Sequence, residues 1–167
     1  MTTTTLAQFN AASPQEAAQT LRPCLPIDRW IEEIVSGRPY DDIESVVASA
    51  HLAASPLRPD EVDAALAHHP RIGERAAGDS REATLSRSEQ SGLSIDEELT
   101  AALRAGNAEY EARFDRVFLI RAAGRSTAEI LEQLTRRLSN DDETESAEVA
   151  DQLRQIAILR LQGALSA

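Results

Sequence analysis

The sequence predicts an all-α chain, a single-domain bundle of about seven to eight helices spanning residues 1–167. Three observations carry that expectation. Helix-start signals recur along the chain, apolar residues repeat at helical spacing, and alternating strand patterns are nearly absent. A length of 167 residues fits one domain with a substantial core.

Ser13-Pro14-Gln15-Glu16 joins an N-cap serine, a proline at the first helical position and a glutamate at the third, and it opens a helix running to Leu21. Pro23 and Pro26 interrupt the chain. Trp30, Ile31, Ile34 and Val35 then predict a short helix stopped by Gly37, followed by a turn at Arg38-Pro39-Tyr40. Ile43, Val46, Val47 and Ala50 mark the next helix. Beyond Pro56 and Pro59, the stripe Val62, Ala65, Leu66, His69 predicts a helix ending at Pro70.

Gly73 to Leu85 is polar, with Gly78, Asp79 and Ser80 in its middle, and reads as a long loop. Ser86-Arg87-Ser88-Glu89 has the form of a capping box, which places Glu89 near a helix start. A second box, Ser94-Ile95-Asp96-Glu97, leads into a long helix with Leu99, Leu103, Gly106, Tyr110 and Phe114 on one face. Val117 to Ile120 is apolar and extended in character, but four residues without a partner strand do not make a sheet. Ser126-Thr127-Ala128-Glu129 starts a helix carrying Ile130, Leu131, Leu134 and Leu138. Asn140-Asp141-Asp142 breaks it, and a last helix follows from about Glu143 to Gln162. No internal repeat or low-complexity segment is present.

With 17 basic and 28 acidic residues the formal net charge is -11, which argues against a nucleic acid or an anionic membrane surface as partner. No basic leader precedes an apolar run, and no apolar stretch reaches the length of about 18 residues that a membrane helix needs. Cys24 is the single cysteine, so no intrachain disulfide can form. A reducing compartment, the cytoplasm, is the expectation.

The residues with chemical potential are His69, just before Pro70, and Glu89. An imidazole exchanges protons near neutral pH, and a neighbouring carboxylate can orient it or share the proton traffic. Read structurally, His69 is a satisfied core histidine and Ser86-x-x-Glu89 only caps a helix. On a helix His68 and His69 point about 100° apart, so only one of them faces a small site. With His51 they give no metal-ligand spacing, and no metal or other cofactor is expected. Val149, Leu153 and Ile156 form a stripe whose next position is Arg160. Its guanidinium either snorkels to water beside the helix C-terminus or grips a carboxylate or ureide oxygen.

These segments, taken in order, resemble the OHCU decarboxylase family, which acts on 2-oxo-4-hydroxy-4-carboxy-5-ureidoimidazoline (OHCU). The resemblance rests on Phe9-Asn10, Cys24, Trp30, Arg38-Pro39-Tyr40, His69-Pro70-Arg71-Ile72-Gly73 and Ser86-x-x-Glu89-Gln90-x-Gly92. It continues through Asn107-x-x-Tyr110-Glu111-x-x-Phe114, Phe118-Leu119-Ile120, Gly124-Arg125-Ser126, Arg137-Leu138-x-Asn140-Asp141 and Arg160-Leu161. The family's Phe-Gly-x-Pro-Phe run is here Phe114-Asp115-Arg116-Val117-Phe118, without the glycine or the proline.

The resemblance implies an all-helical homodimer that decarboxylates OHCU to S-allantoin in urate degradation without a cofactor. It implies a catalytic pair at His69 and Glu89, and substrate contacts at Pro70, Ser86, Gln90, the Ile120 backbone and Arg160. Two other classes remain open on the residues alone: a helical dimer that binds a small ligand or partner without chemistry, and a ureide hydrolase using the same pair to activate water.

Overall fold

Nine helices occur among the residues that the computed structural model describes, which are 3–74, 78, 80–93 and 96–167. They are α1 (Leu6–Ala11), α2 (Pro14–Leu21), α3 (Asp28–Ser36), α4 (Ile43–Ala53), α5 (Pro59–Leu66), α6 (Arg81–Glu89), α7 (Glu97–Phe114), α8 (Thr127–Arg137) and α9 (Asp142–Ala164). The fold is all-α. Two short strands, β1 (Thr4–Thr5) and β2 (Leu165–Ser166), form one parallel pair. The chain divides into two compact units, Met1–Ala65 with Leu153–Ala167, and Leu66–Gln152.

In the first unit the predicted box at Ser13 and Glu16 is formed and opens α2. A box that the sequence reading passed over, Thr5 with Gln8, opens α1 and adds a helix to the expected number. Trp30 is fully buried and its indole N–H donates to the Ala50 carbonyl at 2.9 Å, tying α3 to α4. Asn10 and Tyr40 exchange two hydrogen bonds of 2.9 Å, and the Arg38 guanidinium donates to the carbonyls of Phe9 and Ala12. Phe9-Asn10 and Arg38-Pro39-Tyr40 are therefore the two halves of one structural lock. Glu61, buried in the first turn of α5, accepts two hydrogen bonds from Arg29 at 2.6 and 2.9 Å.

In the second unit α7 packs on α8 through Gly106, where a Cβ would lie 2.5 Å from Leu134 Cδ2, so glycine sets the closeness of the two helices. The core joins Ile72, Leu103, Tyr110, Phe118, Ile120, Ala122, Ile130 and Leu134. Beneath it lies a buried ion pair: Arg137 donates to Glu145 Oε1 from Nε and Nη2 at 2.9 and 2.5 Å. The Tyr110 hydroxyl donates to the same oxygen, and burial, reinforced by that bond, pushes its pKa up, so it stays protonated.

Three expectations are corrected here. The helix expected to reach His69 ends at Leu66, because a residue before proline is driven away from the α region and the turn ahead of it unwinds as well. The expected loop from Gly73 to Leu85 holds the start of α6, capped by Ser80, whose side chain accepts from the Ala83 N–H. Ser86 consequently lies inside α6, not at its cap, and Glu89 is its last residue. Of the box at Ser94-Ile95-Asp96-Glu97, Ser94 and Ile95 lie outside the described residues, as does Asp79 of the expected loop; α7 is capped by Asp96, which accepts from the Leu99 N–H. The box at Ser126 and Glu129 opens α8 as expected.

Candidate active site

His69 sits three residues beyond α5 in a bend, its backbone N–H donating to the Leu66 carbonyl at 3.1 Å. The four residues after it are held from several sides. Arg71 pairs through two nitrogens with Glu111 of α7, and Ile72 is buried in the core. Gly73 adopts φ +91°, a conformation that favours glycine. The peptide unit between Ile72 and Gly73 is engaged at both its polar groups. Asn107 Nδ2 donates to the Ile72 carbonyl, and the Gly73 N–H donates to Gln90 Oε1, each at 3.0 Å. Gln90, expected at the substrate, thus spends its carbonyl oxygen on this loop.

On α6, Glu82, Ser86, Glu89 and Gln90 follow i, i+4, i+7, i+8 and share one face of the helix. Ser86 is buried, and Glu89 and Gln90 are half-buried. A cavity of about 380 Å³ is lined by His68, His69, Pro70, Ser80, Glu82 and Ser86, together with Ala67 and Ala83. The structure therefore brings together His69, Pro70 and Ser86 of the expected residues. Glu89 and Gln90 both stand about one turn beyond Ser86 on the same face of α6.

Two residues were missed by sequence reasoning. His68 lines the cavity beside His69: with the helix ended at Leu66, the helical angle that separated the two histidines does not apply. Glu82 lines it too, and its i, i+4 relation to Ser86 was legible only with α6 in register.

Ile120 is buried in the core cluster that also holds Ile72, so the loop after His69 and the run of residues 117–122 are anchored in one place. That run lies in no helix or strand. Arg160 belongs to the first unit. It is only 5% exposed, in line with the stripe of Val149, Leu153 and Ile156, and its Nη1 donates to the Pro23 carbonyl at 3.0 Å. Because α9 continues to Ala164, the guanidinium lies neither at the helix end nor in water, and snorkelling is ruled out. Among the described residues no group of three or more His, Cys, Asp or Glu is placed to hold a metal ion, and no helix is long and apolar enough to cross a membrane.

An all-helical scaffold carrying imidazoles, a carboxylate and a hydroxyl around one cavity can bind a small polar molecule and move its protons. The sequence model of the OHCU decarboxylase family matches residues 10–162, a span that runs through both units, and the chain belongs to that family. It is accordingly a carboxy-lyase with a role in urate degradation. A crystal structure of OHCU decarboxylase in the presence of (S)-allantoin is similar in fold, with TM-score 0.67, 19% identity, and 91% of this chain and 97% of that one covered. A crystal structure of (S)-allantoin synthase gives TM-score 0.71 and 15% identity, covering 96% of this chain and 54% of that longer one. No curated protein sequence matches the chain.

Proposed function

We propose that the chain converts OHCU to S-allantoin and carbon dioxide, with His69 and Glu89 handling protons and Pro70, Ser86, Gln90, the Ile120 backbone and Arg160 binding substrate. The supporting observation is the cavity in which His69, Pro70 and Ser86 meet, whose volume of about 380 Å³ suits a small ligand.

The chemistry needs no electron sink beyond the substrate. One ring carbon carries both a hydroxyl and a carboxylate, beside a C=N carbon bearing the ureido group. When the bond to the carboxylate breaks, its electron pair moves toward the C=N bond as carbon dioxide leaves, and the ring nitrogen takes a proton. The enol-like intermediate then loses its hydroxyl proton and gains one at the neighbouring carbon. Net, a proton replaces carbon dioxide. A histidine and a carboxylate supply the acid and base, and a wall that exposes one face of the intermediate gives one enantiomer. Family membership supports this reading, and with it a homodimer and a cytoplasmic enzyme acting without a cofactor.

The test is turnover of freshly generated OHCU followed by optical rotation. The proposal requires S-allantoin to form faster than racemic allantoin forms spontaneously. Formation of the racemate alone at the uncatalysed rate refutes it. Light scattering on the same sample reads the dimer.

A further inference from the structure

Residues 117–122 lie in no helix or strand, so their backbone polar groups must find partners elsewhere. Two of them are met by side chains from different helices, on either side of Ile120. The Leu119 carbonyl accepts from Arg137 Nη1 of α8 at 2.8 Å, and the Arg121 N–H donates to Gln152 Oε1 of α9 at 2.9 Å. Arg137 is itself fixed, fully buried, paired with Glu145 and stacked 4.6 Å from the centre of the Phe118 ring. Between these two attachments the backbone N–H and C=O of Ile120 take no partner among the described residues, although Ile120 is 3% exposed. Two buried peptide units, each held at one polar group and left open at the other, are built to meet something else.

We propose that Gln152 and Arg137 are positioning residues, which clamp the backbone on both sides of Ile120 so that it presents its polar groups to the substrate. This rests on the reading of Ile120 as a substrate contact. The clamp also accounts for how the run keeps a defined path with aspartate, arginine and valine at 115–117, where the family has a glycine and a proline. Arginine and glutamine from two helices supply from outside the rigidity that proline would supply from within.

Gln152→Met removes the acceptor at nearly constant volume, while Gln152→Glu keeps an acceptor oxygen. In the free protein, hydrogen exchange at the Arg121 amide should quicken about five- to tenfold in Gln152→Met and return toward the wild-type rate in Gln152→Glu. On OHCU, kcat/KM should fall about tenfold in Gln152→Met and recover in Gln152→Glu, with the melting temperature of each variant within a few degrees of wild type. Unchanged amide exchange in Gln152→Met overturns the clamp, whatever the chain catalyses. Faster exchange with wild-type kinetics overturns its positioning role and leaves decarboxylation standing. An inactive wild type refutes the decarboxylase reading instead, and the exchange measurement still reads the clamp.

Discussion

Asn107 donates its side-chain N–H to the carbonyl of Ile72 across 35 positions of sequence, and it does so while buried in the middle of α7. The bond couples the longest helix of its unit to the loop that follows His69. Its Oδ1 is buried and has no partner among the described residues, so the residue is kept for its donor. Asn107→Asp removes that donor at constant size and turns a carboxylate toward the Ile72 carbonyl. The expected cost is about 1 to 3 kcal/mol of stability at pH 7, read from urea unfolding. A variant as stable as wild type would show that the bond does not fix the loop.

The proton-handling role of His69 predicts that His69→Asn lowers kcat by roughly 10²-fold or more with the circular dichroism spectrum unchanged. The control is His51→Ala, exposed on α4. His68 is not a neutral control, because it lines the same cavity. Equal losses at His69 and His51 would remove His69 from the chemistry.

The helices that open on a formed cap at Ser13 and Ser126 were legible because the whole signal lies within four residues. α6 was not, because Ser86-x-x-Glu89 also has the form of a capping box while the true cap, Ser80, is followed by alanine at the third position. A box and a buried polar face at i, i+3 are the same string. His69 could be found from residue type, since histidine before proline is a local feature, whereas Pro70 and Ser86 came only from the family resemblance. His68 and Glu82 could not, because their place at the cavity depends on where α5 stops and α6 starts. The clamp around Ile120 was out of reach for another reason: Arg137 and Gln152 lie 18 and 31 positions from the groups they hold.

Glu61 predicts a pH dependence of stability. Hydrogen bonds from Arg29, and further ones from Arg58, hold its pKa down to about 2 against burial, well under the ordinary glutamate value. A carboxyl depressed on folding stabilises above its unfolded pKa, and that contribution is lost as pH falls from about 4.5 toward 2. Glu61→Gln should therefore cost up to about 3.5 kcal/mol at pH 7, at about 1.4 kcal/mol per pKa unit, and under about 1 kcal/mol at pH 2.5. Urea unfolding at both pH values reads the difference. A cost that does not shrink in acid would mean that the charge of Glu61 is not its source.

Independence from metal is a separate expectation. His51, His68 and His69 lack metal-ligand spacing, so dialysis against a strong chelator should leave kcat on OHCU unchanged. Loss of activity that zinc restores would contradict it.

Arg160 separates structure from function most sharply. Its guanidinium is buried and Nη1 donates to the Pro23 carbonyl, a bond that a lysine ammonium could also make. What lysine cannot reproduce is the planar fork that holds two oxygens at once. If the fork grips the carboxylate or ureido oxygens of OHCU, Arg160→Lys should lower kcat/KM by roughly 10-fold to 10³-fold, since one charge-assisted hydrogen bond is worth about 1.5 to 3 kcal/mol and misplacement adds to it. The swap opens no large cavity and keeps the charge, so stability should change by under about 1 kcal/mol. If Arg160 serves the structure alone, the order reverses: kinetics stay near wild type and any loss appears in the melting temperature. Both quantities measured on one Arg160→Lys sample decide the matter, and wild-type kinetics would take Arg160 out of the substrate site.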